Sequence, residues 1–186
     1  MTITLSGCAS GYSLVKPSQA TAGGPGMLVT PDTAWNKMPA APDLSKWEEA
    51  WTENGPLLDT VRFVAGLPDG EALVKQQKKA DRKVPVFRSN MNPQDLVSMI
   101  ESYYRVRGGI TVFKTTGLEP VSFLGKQGVK FDYEYTVPNG QQYMGRSVLA
   151  VVSGKLYLIG LDATKNHYFQ ASLKPFETIV ASATVK

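Results

Sequence analysis

Three turn signals follow one another in the second half of the chain, at Lys126-Gln127-Gly128, Asn139-Gly140 and Ser153-Gly154. The runs they separate, residues 129–137, 142–152 and 155–161, are rich in β-branched, aromatic and aliphatic side chains. Short glycine-containing turns twist in the same sense as the strands they join, so they favour hairpins. Successive hairpins allow only antiparallel neighbours. The carboxy-terminal half is therefore expected to be an antiparallel meander, opened by residues 110–113 and 121–124.

Side-chain alternation says which way each strand faces. In residues 129–137, Phe131, Tyr133 and Tyr135 share one face, and Lys130, Asp132 and Glu134 share the other. A two-residue Asn139-Gly140 loop would set Tyr135 opposite Met144, Tyr133 opposite Arg146 and Phe131 opposite Val148. The next turn sets Arg146 near Leu161 and Val148 near Ile159, leaving Leu149, Val151, Leu156 and Leu158 on the reverse face. Strands that are apolar on both faces call for cover on both sides.

That cover is expected from helices. Asn92 suits a cap, Pro93 the first helical position and Asp95 the positive end of the helix. Leu96, Met99, Ile100 and Tyr103 then recur at helical spacing, and Gly108-Gly109 stops the run. Tyr168 and Phe169 begin the last element, where Pro175 fits the first turn of a helix running to about Ala183, with Phe176, Ile179, Val180 and Ala183 inward. In the amino-terminal half, residues 27–29, 33–36 and 47–52 read as strands. Asn54-Gly55 turns the chain into a return strand at residues 57–65.

Length and charge narrow the classes. A chain of 186 residues suits one domain. Lys+Arg 20 against Asp+Glu 16 leaves a net charge of +4, too small a bias to imply nucleic acid. One Cys rules out an internal disulfide and a Cys-rich zinc site, and one His rules out a His-rich metal site. No metal or cofactor is expected. No phosphate loop, dinucleotide-binding glycine pattern, HExxH or nucleophile elbow is present. Residues 75–83 (KQQKKADRK) hold five basic residues in nine, which reads as a contact for phosphates or as a solvated loop.

Chemistry-bearing residues are sparse. His167 near Ser172 or Ser182 lacks a third orienting group, and otherwise reads as a capping or solvent-facing His. Asp132 and Glu134 lie two apart on one face and suit paired acid work or a charged surface. Arg146 is the unusual residue. In the register above it falls on the aromatic face beside Tyr133, near Tyr135 and Tyr143, and an unpaired charge on an apolar face is costly. Arg146 with these tyrosines would receive an anion, or the guanidinium would stack at the rim with its head in water. A small-ligand binder or hydrolase would use Tyr133, Tyr135, Tyr143, Arg146 and His167 around a pocket on a concave sheet.

The amino terminus carries a different signal. Leu5-Ser6-Gly7-Cys8 resembles the lipobox of bacterial lipoproteins. The resemblance implies cleavage before Cys8, acyl chains on its sulfur and new amine, and, with Ala9-Ser10 following, the periplasmic face of the outer membrane. Residues 1–7 would then be the remnant of a signal peptide. Residues 9–26 are rich in Gly, Pro, Ser, Thr and Ala, a linker composition that spans about 23 Å as a coil. The expected organisation is a signal remnant at 1–7, a lipidated flexible tether at 8–26 and a single α+β domain at 27–186.

The order of elements, together with Met91-Asn92-Pro93 leading to Ile100 and Tyr157-Leu158-Ile159-Gly160 leading to Tyr168-Phe169, Phe176, Ile179 and Ser182, is similar to the PsbP/Mog1-like fold. The resemblance implies an α/β/α sandwich and an auxiliary, non-enzymatic role in a larger assembly. A cystatin-like or NTF2-like curved sheet around one helix is the structural alternative. The expected function is a non-enzymatic envelope lipoprotein that holds the membrane through Cys8 and contacts another envelope protein, with no nucleic-acid partner. The small-ligand binder or hydrolase is the functional alternative.

Overall fold

The first helix begins where a reciprocal cap forms. The Asn92 side chain accepts from the Asp95 N–H at 3.0 Å, and the Asp95 carboxylate accepts from the Asn92 N–H at 3.1 Å. This box satisfies two donors that a helix start leaves without partners. It opens α1 (Pro93–Gly108), and Gly109 in left-handed backbone (φ 61°) closes it. Leu96, Met99, Ile100 and Tyr103 are buried along one face, as their spacing predicts.

The computed structural model describes residues 11–24, 26–75 and 83–186. Among them, β1 (Ser13–Val15), β2 (Ala20–Ala22), β3 (Met27–Val29), β4 (Trp35–Lys37), β5 (Glu48–Thr52) and β6 (Asp59–Leu67) precede α1. After it come β7 (Val112–Phe123), β8 (Lys126–Thr136), β9 (Gln142–Val152), β10 (Lys155–Thr164), α2 (Tyr168–Ser182) and β11 (Thr184–Val185). The described strands form an eight-stranded sheet ordered β1-β4-β5-β6-β10-β9-β8-β7 and a three-stranded sheet ordered β11-β3-β2. Every pairing is antiparallel.

Successive side chains of β10 go to two different apolar clusters. Leu156 and Leu158 join the α1 residues Leu96, Met99, Ile100 and Tyr103. Tyr157, Ile159 and Leu161 join Phe169, Phe176 and Ile179 of α2. Each fully buried aliphatic or Phe side chain stabilises the fold by roughly 1.5–3 kcal/mol relative to exposure. The result is a mostly antiparallel sheet with two packed helices, which does not fit the alternative of a curved sheet around one.

The meander is present, with two changes in its turns. The β7–β8 turn lies at Leu124-Gly125, both in left-handed backbone (φ 52° and 70°), and not at residues 126–128. Gly128 sits inside β8, where a Cβ would run into the Leu149 carbonyl, so that glycine serves close strand approach. The β8–β9 loop holds three residues, Pro138-Asn139-Gly140, closed by Val137 N–H to Gln141 O at 3.0 Å. Gly140 takes the left-handed position (φ 87°) of a three-residue hairpin loop. One extra loop residue slips the register by one and turns every side chain over. Tyr135 faces Tyr143, Tyr133 faces Gly145 and Asp132 faces Arg146. The next hairpin keeps the expected register, with Val148 opposite Ile159 and Arg146 opposite Leu161.

Two further expectations change. Residues 9–26 are not a free tether over their described length. β1 pairs with β4, β2 pairs with β3, and Ala22 is fully buried. Small residues are needed there for contact and not for slack, since a Cβ on Gly23 would lie 2.9 Å from the Ala65 Cβ. The last helix starts at Tyr168, with Pro175 in its interior. Phe169 and Ser172 are buried in the turns before Pro175, so packing there outweighs the one hydrogen bond a proline removes.

Candidate functional site

Cys8 lies outside the described residues, as do residues 76–82 of the basic run at 75–83. The structure divides the other proposed site residues. Tyr133, Tyr135 and Tyr143 come together, with Tyr135 and Tyr143 stacked at 5.2 Å between ring centroids and Tyr133 to Tyr135 at 6.2 Å. Arg146 does not join them. After the one-residue slip it lies beside Asp132, which it grips through Nε at 2.7 Å and Nη2 at 2.9 Å, while Nη1 reaches Glu177 of α2 at 2.8 Å. The hydrogen bonds to Asp132, ahead of the opposing effect of burial, raise the Arg146 pKa above the ordinary guanidinium range. Glu134 pairs with Lys165 at 2.8 Å, so neither carboxylate of the proposed acid pair stands alone.

His167 caps α2 by position only, because its side chain makes no capping hydrogen bond and its ring meets Tyr168 edge-on at 5.1 Å. Ser182 lies at the other end of α2, roughly 22 Å away by helix rise, and its hydroxyl accepts from Thr30 N–H at 2.8 Å. Among the described residues no group of His, Cys, Asp and Glu side chains could hold a metal. No described helix is long and apolar enough to cross a membrane.

A second constellation sits beneath the carboxy-terminal end of α1. Tyr103, Tyr104 and Arg107 come from α1, Glu48 from β5, Arg62 from β6, Tyr133 from β8 and Asp162 from β10. Arg62 pairs with Glu48 through Nη1, and its Nη2 lies 4.0 Å from Asp162. The Tyr103 hydroxyl donates to Glu48 at 2.9 Å and accepts from Arg107 Nη1 at 3.0 Å. The Arg62 guanidinium lies 5.3 Å from the Tyr103 ring centroid, within cation–π reach.

Asp162 is held by two tyrosines. The Tyr104 hydroxyl donates to it at 2.6 Å and the Tyr133 hydroxyl at 3.1 Å. These hydroxyls also approach each other at 2.8 Å. Each phenol has one hydrogen, so the contact between the two hydroxyls competes with their bonds to Asp162. Burial raises its pKa above the ordinary carboxylate value, opposed by Arg62 and by the tyrosine hydrogen bonds. For Arg62 burial disfavours the charge, yet Tyr103, Glu48, Tyr104 and Asp162 together hold its pKa well above the usual range. Burial drives the pKa of Tyr103, Tyr104 and Tyr133 up, so the three phenols stay neutral.

This network was not read from the sequence, although a signal for it is there. Arg62 stands between Val61 and Phe63, and Asp162 between Leu161 and Ala163, in strands with apolar neighbours on both sides. A charge in such a strand needs an internal partner. Beside the network lies a cleft of about 340 Å³, lined by Lys37, Lys46, Glu48, Glu49, Arg62 and Arg107 with an apolar wall from residues 38–41.

The architecture defines a class by shape, the PsbP/Mog1-like fold. Solved structures carry that likeness. The chain is similar to the cyanobacterial PsbP of Synechocystis sp. PCC 6803, with a TM-score of 0.57 and 12% identity over 100% of this chain and 98% of that one. It is also similar to the Ran-binding protein Mog1p of Saccharomyces cerevisiae, with a TM-score of 0.53 and 11% identity over 95% of this chain and 96% of that one. Neither a protein-family model nor a curated protein matches the chain by sequence. At such identities the likeness is one of fold alone.

Proposed function

We propose that this chain is a non-enzymatic binding module of the bacterial envelope, built as an α/β/α sandwich, anchored through acyl chains on Cys8 and contacting another envelope protein. The observation that carries this reading is the engagement of the groups the sequence offers for acid–base work. Asp132 is bound twice by Arg146, and Glu134 is bound by Lys165. A general acid or base must be within hydrogen-bond reach of a substrate proton, and carboxylates spent on ion pairs serve the sheet instead. The strand alternation of β10, with α1 packed on one set of side chains and α2 on the other, supports the layered form. The Ran-binding neighbour supports protein contact as a use to which this fold is put.

The envelope address rests on Leu5-Ser6-Gly7-Cys8. Since pairing begins at Ser13, only four residues lie between Cys8 and the sheet, and the five Cα-to-Cα steps from Cys8 to Ser13 reach at most about 18 Å. An acylated Cys8 would therefore hold the β1 edge close to the outer-membrane surface, far more tightly than a long tether would. Metabolic labelling with an alkyne fatty acid tests the anchor. The chain is expected to incorporate label and fractionate with membranes, and Cys8→Ala is expected to lose both. Equal labelling of the variant would refute the anchor.

The alternative, a small-ligand binder or hydrolase, draws its support from the cleft beside Arg62. Its original residue set does not converge, because Arg146 and Tyr133 occupy adjacent-register positions that face apart. Any such activity would have to use the cleft in place of Tyr133, Arg146 and His167.

A further inference from the structure

We propose that the cleft beside Arg62 is a carboxylate pocket that takes an acidic side chain of the partner protein. This rests on the reading of the domain as a protein-binding module and names the chemistry of its contact. The charged groups of the cleft are layered by sign. Side-chain exposure is 45% for Lys37, 28% for Arg107 and 14% for Arg62, but 9% for Glu49 and 0% for Glu48. Lys46 is exposed as well and makes no ion pair among the described residues; its ammonium lies 4.7 Å from the Trp47 ring centroid. The two acids that line the cleft are thus sunk in its floor, and its more exposed lining charges are cations, Lys37 paired with Glu49, Arg107 with Asp43, and Lys46 in no ion pair among the described residues.

The floor also has hydrogen-bonding capacity in reserve. Arg62 Nε is a buried donor with no partner within the protein, whereas the likewise unpartnered Glu48 Oε2 only accepts and offers a carboxylate nothing. Arg107 spends Nε on Asp43 at 3.1 Å and Nη1 on Tyr103 at 3.0 Å, which leaves Nη2 for another acceptor. An arginine held on two of its nitrogens is already oriented, so little side-chain freedom is lost when a carboxylate arrives. The apolar wall at residues 38–41 suits the methylene stem of a glutamate. A cleft of about 340 Å³ holds one side chain of that size and is smaller than most drug-sized ligand sites.

The test is a titration of the full chain, followed by ¹H–¹⁵N NMR, with a capped tri-glutamate peptide, its tri-glutamine counterpart and free glutarate. Lys46→Glu and Arg107→Gln are the variants, with thermal unfolding to verify that each still folds. Resonances of residues 37–49, 62 and 107 are expected to move with the glutamate peptide only. Binding is expected to weaken with salt and to fall about tenfold in Lys46→Glu, whose reversed charge opposes the ligand. Equal response to the glutamine peptide, or shifts confined to other surfaces, would overturn the carboxylate pocket. Glutarate binding as tightly as the peptide would overturn the partner protein as its source in favour of a free small acid. Either failure leaves the acyl-labelling result untouched, so the pocket and the envelope module fall separately.

Discussion

Around Phe176 and around Tyr104 the same sheet is packed in two different ways. On the α2 side, Trp35, Trp51, Val61, Phe63, Ile159, Leu161, Phe169, Phe176 and Ile179 form a cluster in which the hydrophobic effect does nearly all the work. On the α1 side the cluster is equally apolar near Leu96 and Ile100, but toward the end of the helix it gives way to Glu48, Arg62, Tyr103, Tyr104, Tyr133 and Asp162. An apolar contact is non-directional, and loss of part of it is graded with area. A buried charge network is not graded, because removing one member leaves another unpaired in a medium that solvates it poorly. The α2 side should therefore tolerate trimming, whereas the α1 side should fail abruptly.

The largest expected effect is on the polar side. Arg62→Leu leaves Glu48 and Asp162 buried without their cation and should destabilise by about 3–5 kcal/mol in urea unfolding. Adding Glu48→Gln and Asp162→Asn to that variant should recover much of the loss. No recovery would mean that Arg62 matters through packing and not charge. Tyr133→Phe comes next. It removes one hydroxyl from the Asp162 triangle at nearly constant volume, for an expected cost of about 1–3 kcal/mol. A loss below ~0.5 kcal/mol would show that the triangle contributes little.

On the apolar side, Ile179→Val removes one methylene from a fully buried site and should cost only about 1 kcal/mol. A cost matching that of Tyr133→Phe would break the contrast between the two clusters. The weakest signal is a pH slope. The folded pKa of Asp162 is raised, so its contribution is most favourable below the unfolded value near 3.8 and is lost as pH rises through the folded pKa. Stability of the native chain relative to Asp162→Asn should thus decline as pH increases from 4 upward. A difference that grows with pH would mean that Arg62 and the tyrosines outweigh burial and hold the carboxylate ionised.

Local signals in the sequence carried much of this fold. Asn92, Pro93 and Asp95 announced α1 because a cap is a contact among near neighbours. Ser153-Gly154, a two-residue turn, set the β9–β10 register correctly. Asn139-Gly140 set its own hairpin wrong by one residue, because Pro138 joins the loop and no dipeptide rule counts it. That single slip moved Arg146 from the tyrosines to Asp132 and dissolved the proposed anion site around it. The pocket now proposed uses Arg62 and Arg107, residues that stand 45 positions apart and meet only through the packing of α1 on β6.

By itself the sequence determined the alternating faces of β8, the two ends of α1 and the antiparallel run of the last four strands, since each depends on residues a few places apart. Tertiary structure decided the rest. It turned a glycine-rich segment into strands by laying Gly23 and Gly26 against Ala65, carried α2 through Pro175 on the strength of what packs before it, and joined Glu48, Arg62 and Asp162 from three strands. Backbone preference acts within a turn or a few residues of chain. Burial and charge pairing act across whatever distance the fold closes, and they prevail where the two conflict because desolvating an unpaired charge or leaving a void costs more than a local propensity.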